Sequence, residues 1–227
     1  MKTFTWLFIT SICLLSVFSA VAQQDKQDEL KDTLPKDNWH FETVRFGLEI
    51  GTFSDLIFLP ERSAYAGSLE LTFSNKHFLT FIGGTSNYHD ENAKLTYDAS
   101  GYYGVIGIDR NMLRREGSDA FTAGLRVGYA SFNQHAQQIS IDAYRWGSYP
   151  LTLPEEEASA LWTELSIGIK AEVFPHFFLG WSVQARLLIN SNYDTVEPMN
   201  IPGYGKAGRN FRLAARYSIF YAIPFRK

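Results

Sequence analysis

Leu161 to Asn190 constrains the chain more than any other stretch. It reads LWTELSIGIKAEVF, then Pro175-His176, then FFLGWSVQARLLIN, and both arms alternate with the period of two that a pleated strand imposes. Leu161, Leu165, Ile167, Ile169 and Val173 share one face with Thr163 and Ala171, while Trp162, Glu164, Ser166, Gly168, Lys170 and Glu172 share the other. Past the turn, Phe177, Leu179, Trp181, Val183, Ala185, Leu187 and Ile189 oppose Gly180, Ser182, Gln184 and Arg186. Each arm exceeds the ~5–6 residues of an ordinary strand and reaches the ~9–11 that a tilted strand needs to cross a bilayer. A long hairpin with one greasy and one charged face predicts a piece of a transmembrane β-barrel.

Similar alternation recurs along the chain. Val44, Phe46, Leu48 and Ile50 oppose Arg45, Gly47, Glu49 and Gly51; a second strand runs near Tyr65 to Phe73, a third from His77 to about Tyr88, a fourth from Tyr97 to Ile108 and a fifth from Phe121 to Asn133. The hairpin supplies the sixth and seventh, and Phe211 to Phe225 the eighth. In the third and fourth the alternation is weak and Gly-rich, so their faces stay unassigned. An even number of strands lets an antiparallel up-and-down meander close into an all-β, eight-stranded barrel. Link lengths support it: Ser74 to Lys76, Asp109 to Asp119 and Pro175-His176 form the shorter set, and Thr52 to Ala64, His89 to Thr96, Gln134 to Ser159 and Ser191 to Asn210 the longer. Short turns on one side and long loops on the other are the asymmetry of bacterial outer-membrane barrels.

A soluble, lipocalin-like carrier would also alternate, with its greasy face turned inward around a ligand. Two features favour the membrane. Arg45, Glu49, Glu70, Arg126, Glu164, Lys170, Glu172, Arg186, Arg212 and Arg216 all lie opposite the apolar set, as lipid would enforce at roughly 2–4 kcal/mol for each misplaced basic side chain. They are also interleaved with Gly47, Ser68, Gly124, Gly128, Ser166, Gly168, Gly180, Ser182, Ala214 and Ser218, which suit a narrow lumen better than a solvated exterior. These ten charged residues are therefore expected to form a lumenal ion-pair network, since the interior of an eight-stranded barrel is just filled by side chains.

The address agrees. Lys2, an apolar run from Trp6 to Val21 and Ala20-Val21-Ala22 follow the order of a cleaved secretory signal over residues 1–22. Residues 23–40, charged and without apolar periodicity, read as a flexible periplasmic lead to a barrel over 41–227. Cys13, the only cysteine, falls inside the signal. The formal charge of −3 becomes one unit more negative once Lys2 is removed, which argues against nucleic acid as a partner. The partners expected are outer-membrane lipid, barrel-assembly machinery that reads the closing aromatic strand ending at Phe225, and an extracellular or envelope protein.

Certain residues resemble those of a known family. Trp162-Thr163-Glu164-Leu165 with Gly168-Ile169-Lys170, Phe177 to Gln184, Ile201-Pro202-Gly203-Tyr204, Tyr217-Ser218-Ile219 and Ile223-Pro224-Phe225 are similar to an uncharacterised family of small outer-membrane β-barrel proteins typical of Bacteroidetes. The resemblance extends back to about Arg45. It implies the barrel and the location, and it brings no activity.

Chemistry-bearing motifs are sparse. Gly203-Tyr204-Gly205-Lys206-Ala207-Gly208 is a literal GxGxxG, but it precedes a strand instead of opening a helix and has no acidic residue about 20 positions on, so it reads as a loop. His40, His77, His89, His135 and His176 do not pair at metal spacing, and no cofactor is implied. A lipid-directed hydrolase or acyltransferase, the alternative from another class, would draw on Ser131, His135 and Glu155 to Glu157 near one rim. The longest link, Gln134 to Ser159, is the expected functional surface. Its Ile139, Ile141, Tyr144, Trp146 and Tyr149 either extend the fifth strand, meet a partner or cap the barrel mouth.

Overall fold

The computed structural model describes residues 41–50, 62–73, 76–92, 95–113, 118–137, 139–143, 147–151 and 153–225. The expected signal and lead, and residues 51–61 of the first long link, lie outside them. In chain order the strands are β1 (Phe41–Glu49), β2 (Arg62–Phe73), β3 (His77–Asn92), β4 (Leu95–Asn111), β5 (Ala120–Gln137), β6 (Ile139–Ala143), β7 (Gly147–Leu151), β8 (Glu156–Phe174), β9 (Phe177–Asn192), β10 (Asn200–Ile201), β11 (Gly205–Lys206) and β12 (Phe211–Pro224). Eight of them close an antiparallel barrel in the order β1, β12, β9, β8, β5, β4, β3, β2, and β6–β7 and β10–β11 are small separate hairpins. The closed ladder leaves no sheet edge, so the wall satisfies its own backbone hydrogen bonds.

The outer wall is apolar. Leu48, Leu125 and Leu213 are 70%, 63% and 69% exposed, and Phe46, Ile106, Ile108, Leu165, Ile167, Ile169, Trp181 and Ile219 join them. A surface this greasy and continuous would aggregate in water. Aromatic residues bound it at both ends. At the turn end Phe41 packs on Phe73 and Phe225 at ring distances of 5.8 and 5.2 Å, and Phe177 on Tyr221 at 5.0 Å. At the loop end Tyr65, Tyr102 and Tyr129 stand outward, with Tyr102 paired in register to Ser131 and Thr85. On β5 the apolar stretch from Phe121 to Tyr129 fits the ~9–11 residues of a crossing strand.

The strands run on past those tyrosines. Within the His89–Thr96 segment, expected as a long link, His89 to Asn92 and Leu95 to Thr96 are instead ladder: β3 and β4 stay paired up to Asn92 with Leu95. Its sequence, HDENAKLT, shows no apolar alternation because both faces there are polar, so the pattern marks the apolar belt and not the strand. For the same reason β5 continues to Gln137 and β8 begins at Glu156, which shortens the Gln134–Ser159 link at both ends.

Candidate functional site: a filled lumen and its cap

The interior is packed in three tiers. At the turn end Phe78, Phe178, Phe220 and Ala222 are buried. In the middle lie the charges. Lys170 Nζ donates to both oxygens of Glu70 at 2.6 and 2.7 Å. Arg186 Nε lies 2.9 Å from Glu164 Oε1, which also accepts from Trp162 Nε1 at 3.0 Å. Arg216 bridges Glu49 and Glu164 at 3.6 and 3.7 Å, while Ser218 Oγ donates to Glu49 at 2.6 Å. A low-dielectric interior demands this pairing, because a single buried charge costs several kcal/mol. The void among these groups measures about 20 Å³, room for a water molecule and nothing larger.

Of the ten charged residues expected inside, Arg45, Glu49, Glu70, Arg126, Glu164, Lys170, Arg186 and Arg216 are buried together. Two depart. Glu172 keeps its register with lumenal Phe178 but stands at the turn-end mouth, where it is exposed and accepts from the His176 N–H at 2.9 Å. There its neighbours Ser118 and His176 hold its carboxyl below the usual range. Arg212 is half-buried near the other mouth, paired in register with Arg186. One residue was missed. Asp109 is fully buried and accepts from Arg126 Nε and Nη2 at 3.3 and 2.9 Å and from Thr80 Oγ1 at 2.7 Å. The sequence places it at the head of the Asp109–Asp119 link, one residue past the expected end of the Gly-rich fourth strand, whereas β4 runs on to Asn111; a lumenal Arg126 in need of a counter-charge was the available signal.

Small residues make room for this packing. A side chain at Gly128 would collide with the indole of Trp162, and one at Gly124 with the carboxylate of Asp109.

The third tier is apolar, and the chain fills it with its own loop. Ile82, Tyr97, Ala99, Val105, Phe132, Ala160 and Trp162 form a core around Ile201 and Tyr204, which descend from the β10–β11 hairpin. The Tyr204 ring meets Trp162 edge-on at 6.0 Å, and its carbonyl accepts from Arg186 Nη1 at 3.0 Å. Gly203, Gly205 and Gly208, the glycines of the GxGxxG string, hold φ values of 75°, 111° and 87°, a left-handed backbone that glycine alone adopts freely. The cap is pinned from the wall. Tyr97 Oη donates to Gln134 Oε1 at 2.7 Å and accepts from the Met199 N–H at 3.2 Å; burial pushes its phenol up to about 12. Glu156 accepts from the N–H groups of Thr195 and Val196 at 2.7 and 2.9 Å and from the Gln134 amide. Desolvation alone would raise the Glu156 carboxyl, but these donors outweigh it and hold it below the ordinary range.

The expected surface loop carries the β6–β7 hairpin, with Ile141 opposite Tyr149 and Ile139 opposite Leu151. Tyr144 and Trp146 lie outside the described residues, as do the side chains of Ile139, Ile141 and Tyr149. Ser131 and His135 fall on the outer wall of β5 in register with Tyr102 and Asp98. No hydrogen bond joins the two among the described residues. Nor do three His, Cys, Asp or Glu side chains among them converge as a metal site.

Two solved structures show similarity to the chain. Acinetobacter baumannii CarO2 is 8% identical, with 82% of this chain and 100% of that one covered at a TM-score of 0.45. A major outer membrane protein from Thermus thermophilus is 11% identical, with 81% and 99% covered at a TM-score of 0.48. No curated protein matches the chain. Residues 5–227 match a family described as a domain of unknown function, DUF6048, and with nearly the whole chain aligned the protein belongs to that family.

Proposed function

We propose that the protein is a small outer-membrane β-barrel of a Gram-negative envelope, serving as a sealed and rigid platform that presents its loop end to the cell exterior. The observation that carries this reading is the lumen. Phenyl rings, ion pairs and a capping loop fill it in succession, and the void among the charges is about 20 Å³, far below what a channel requires. The apolar outer wall and its aromatic girdles support the membrane setting. A soluble lipocalin-like carrier would have these two surfaces exchanged. The secretory signal over residues 1–22, the closing aromatic strand suited to barrel-assembly machinery, and the resemblance to a family typical of Bacteroidetes belong to the same reading. So does an extracellular or envelope protein as the partner of the loop end.

Fractionation with a gel run before and after boiling tests the barrel, since a closed ladder resists detergent alone. The folded protein should come from the outer membrane and change mobility on heating. A protease-sensitive epitope at Asp194 should be cut in intact cells, and the same epitope at Ser118 only after the envelope is broken. The reverse pattern would invert the platform. In planar bilayers the purified protein should show no steady conductance, and a stable open level would sink the sealed lumen.

A further inference from the structure

Just beyond the tyrosines of the loop end, the outer wall holds a polar cleft of about 390 Å³ across β2 to β5, lined by Ser63, Asn87, His89, Asp98, Ser100, Asn133 and His135, with Glu155 at its side. The cross-strand register builds it in rows. Tyr65, Thr85, Tyr102 and Ser131 form the lowest, at the girdle. Ser63, Asn87, Ser100 and Asn133 form the next, and His89, Asp98 and His135 the one above. Within it His89 Nδ1 lies 2.5 Å from Asp98 Oδ1, and Asn133 Nδ2 donates to Glu155 at 3.1 Å. The His135 Nδ1 atom is buried and has no hydrogen-bond partner among the described residues.

The chemistry of the cleft selects its occupant. Amides, hydroxyls, imidazoles and carboxylates stand side by side, offering donors and acceptors together, which is the complement of a sugar ring whose hydroxyls both give and accept. Among the described residues no Lys or Arg lines the cleft, and its His89 is already engaged by Asp98, so a phosphate would meet the Asp98 and Glu155 carboxylates without a free cation to offset them. The height matters as well. Tyrosines of this kind sit at the lipid headgroup boundary, so the rows immediately above them stand where headgroups lie, and the cleft opens sideways along the wall. We propose that this cleft binds the neutral or amino-sugar headgroup of a glycolipid lying against the barrel, with Asn87, Asn133, Asp98 and His135 contacting its hydroxyls. The inference rests on the outer-membrane reading above.

The test uses the full mature chain in phosphatidylcholine nanodiscs, with histidine rings labelled for NMR and the heat-shift gel as a separate control of folding. Discs doped with glucosyl-diacylglycerol should move the His89 and His135 resonances saturably, while His77 and His176, at the turn end, stay still. In a variant carrying Asp98→Ala and Asn133→Ala, which keeps the heat shift, half-saturation should need about tenfold more glycolipid or be lost, as expected when hydrogen bonds worth a factor of ten go. Equal movement in phosphatidylglycerol discs would mean an anionic surface and overturn the proposal. Movement with methyl glucoside alone in plain discs, at the same sugar concentration, would reassign the cleft to free saccharides and overturn the glycolipid source. No movement from a protein that still shifts on the gel would overturn the sugar site and leave the barrel standing; no gel shift at all would bring down the barrel itself.

Discussion

Arg126 on β5 grips Asp109 on β4 with two nitrogens, at 3.3 and 2.9 Å, reaching past its own strand partner Gly107 to do so. The two charges sit in the middle tier and are screened from water by the wall on every side. Losing one partner leaves the other buried and bare, at a cost of roughly 3–5 kcal/mol. Arg126→Leu should therefore lower the unfolding temperature in detergent clearly more than Lys206→Leu, which alters an exposed position on the cap hairpin. Adding Asp109→Leu to the first variant should recover part of the loss. Equal melting of the two single variants would contradict the middle tier described above.

Gly128 and Trp162 give a steric counterpart. Any Cβ at 128 meets the indole, which is fully buried and tied to Glu164. Gly128→Leu should cost about 1–3 kcal/mol or prevent closure, and it should also disturb the Tyr204 contact on the other side of the ring. Near-ultraviolet circular dichroism reads both effects. Trp162→Leu introduced together with Gly128→Ala should restore most of the heat-shifted form.

The cap should loosen in acid. The folded Glu156 carboxyl titrates below its unfolded value, so its contribution is present above the unfolded value and disappears as pH falls through the folded one. Amide exchange at Thr195 and Val196 should accelerate on acidification while the β4–β5 ladder stays protected. Glu156→Gln should show fast exchange with little pH dependence. Uniform acceleration across the whole barrel would place the acid effect elsewhere.

On the outer wall the sign reverses. The hydrogen bond from Asp98, followed by its charge, raises the pKa of the His89 imidazole, so the ion pair is present below the unfolded value and fades as pH rises through the folded one. Ring NMR should find His89 titrating above ordinary histidine, and Asp98→Asn should bring it down. Both groups are exposed, so the melting temperature should hardly respond.

What the sequence revealed and what it hid follow one physical line. Alternation was legible wherever one face meets apolar surroundings and the other a packed lumen, as from Leu161 to Val173 and from Phe177 to Ile189. Where both faces are polar, as from His89 to Thr96, the same β geometry leaves no trace in hydropathy. Parity gives a face but not a depth, so Glu172, in register with lumenal Phe178, reads as interior although it stands at the open mouth. Most of the charged tier follows from faces alone, but Asp109 does not, since the weak alternation around Gly101, Gly104 and Gly107 ends the expected strand at Ile108 and leaves Asp109 in the link. The cap was hidden for a different reason. Its Gly203-Tyr204-Gly205-Lys206-Ala207-Gly208 string reads only as a loop, because contacts of Tyr204 with Trp162 and Arg186 across the mouth leave no local pattern.

The ladder that closes the barrel is uneven around its circumference. β1 and its flanks meet β12 over the short run from Glu42 to Ile50, whereas β3 and β4 pair along their whole length from His77 to Asn92. Strain applied to the cylinder will concentrate at that short seam, where far fewer backbone hydrogen bonds resist separation than between β3 and β4. The seam also joins the strands farthest apart in the chain, so its contacts carry the largest loop-closure entropy and form last. Until they form, β1 and β12 expose unpaired edges, and the Arg45 guanidinium has no completed enclosure. That cation ends up between the rings of Phe78 and Phe178, 5.2 and 4.7 Å from their centroids, on opposite sides of the seam. Closing the zipper and sheathing Arg45 are thus a single event, and a ring lost from either side should be felt first as slow or incomplete closure.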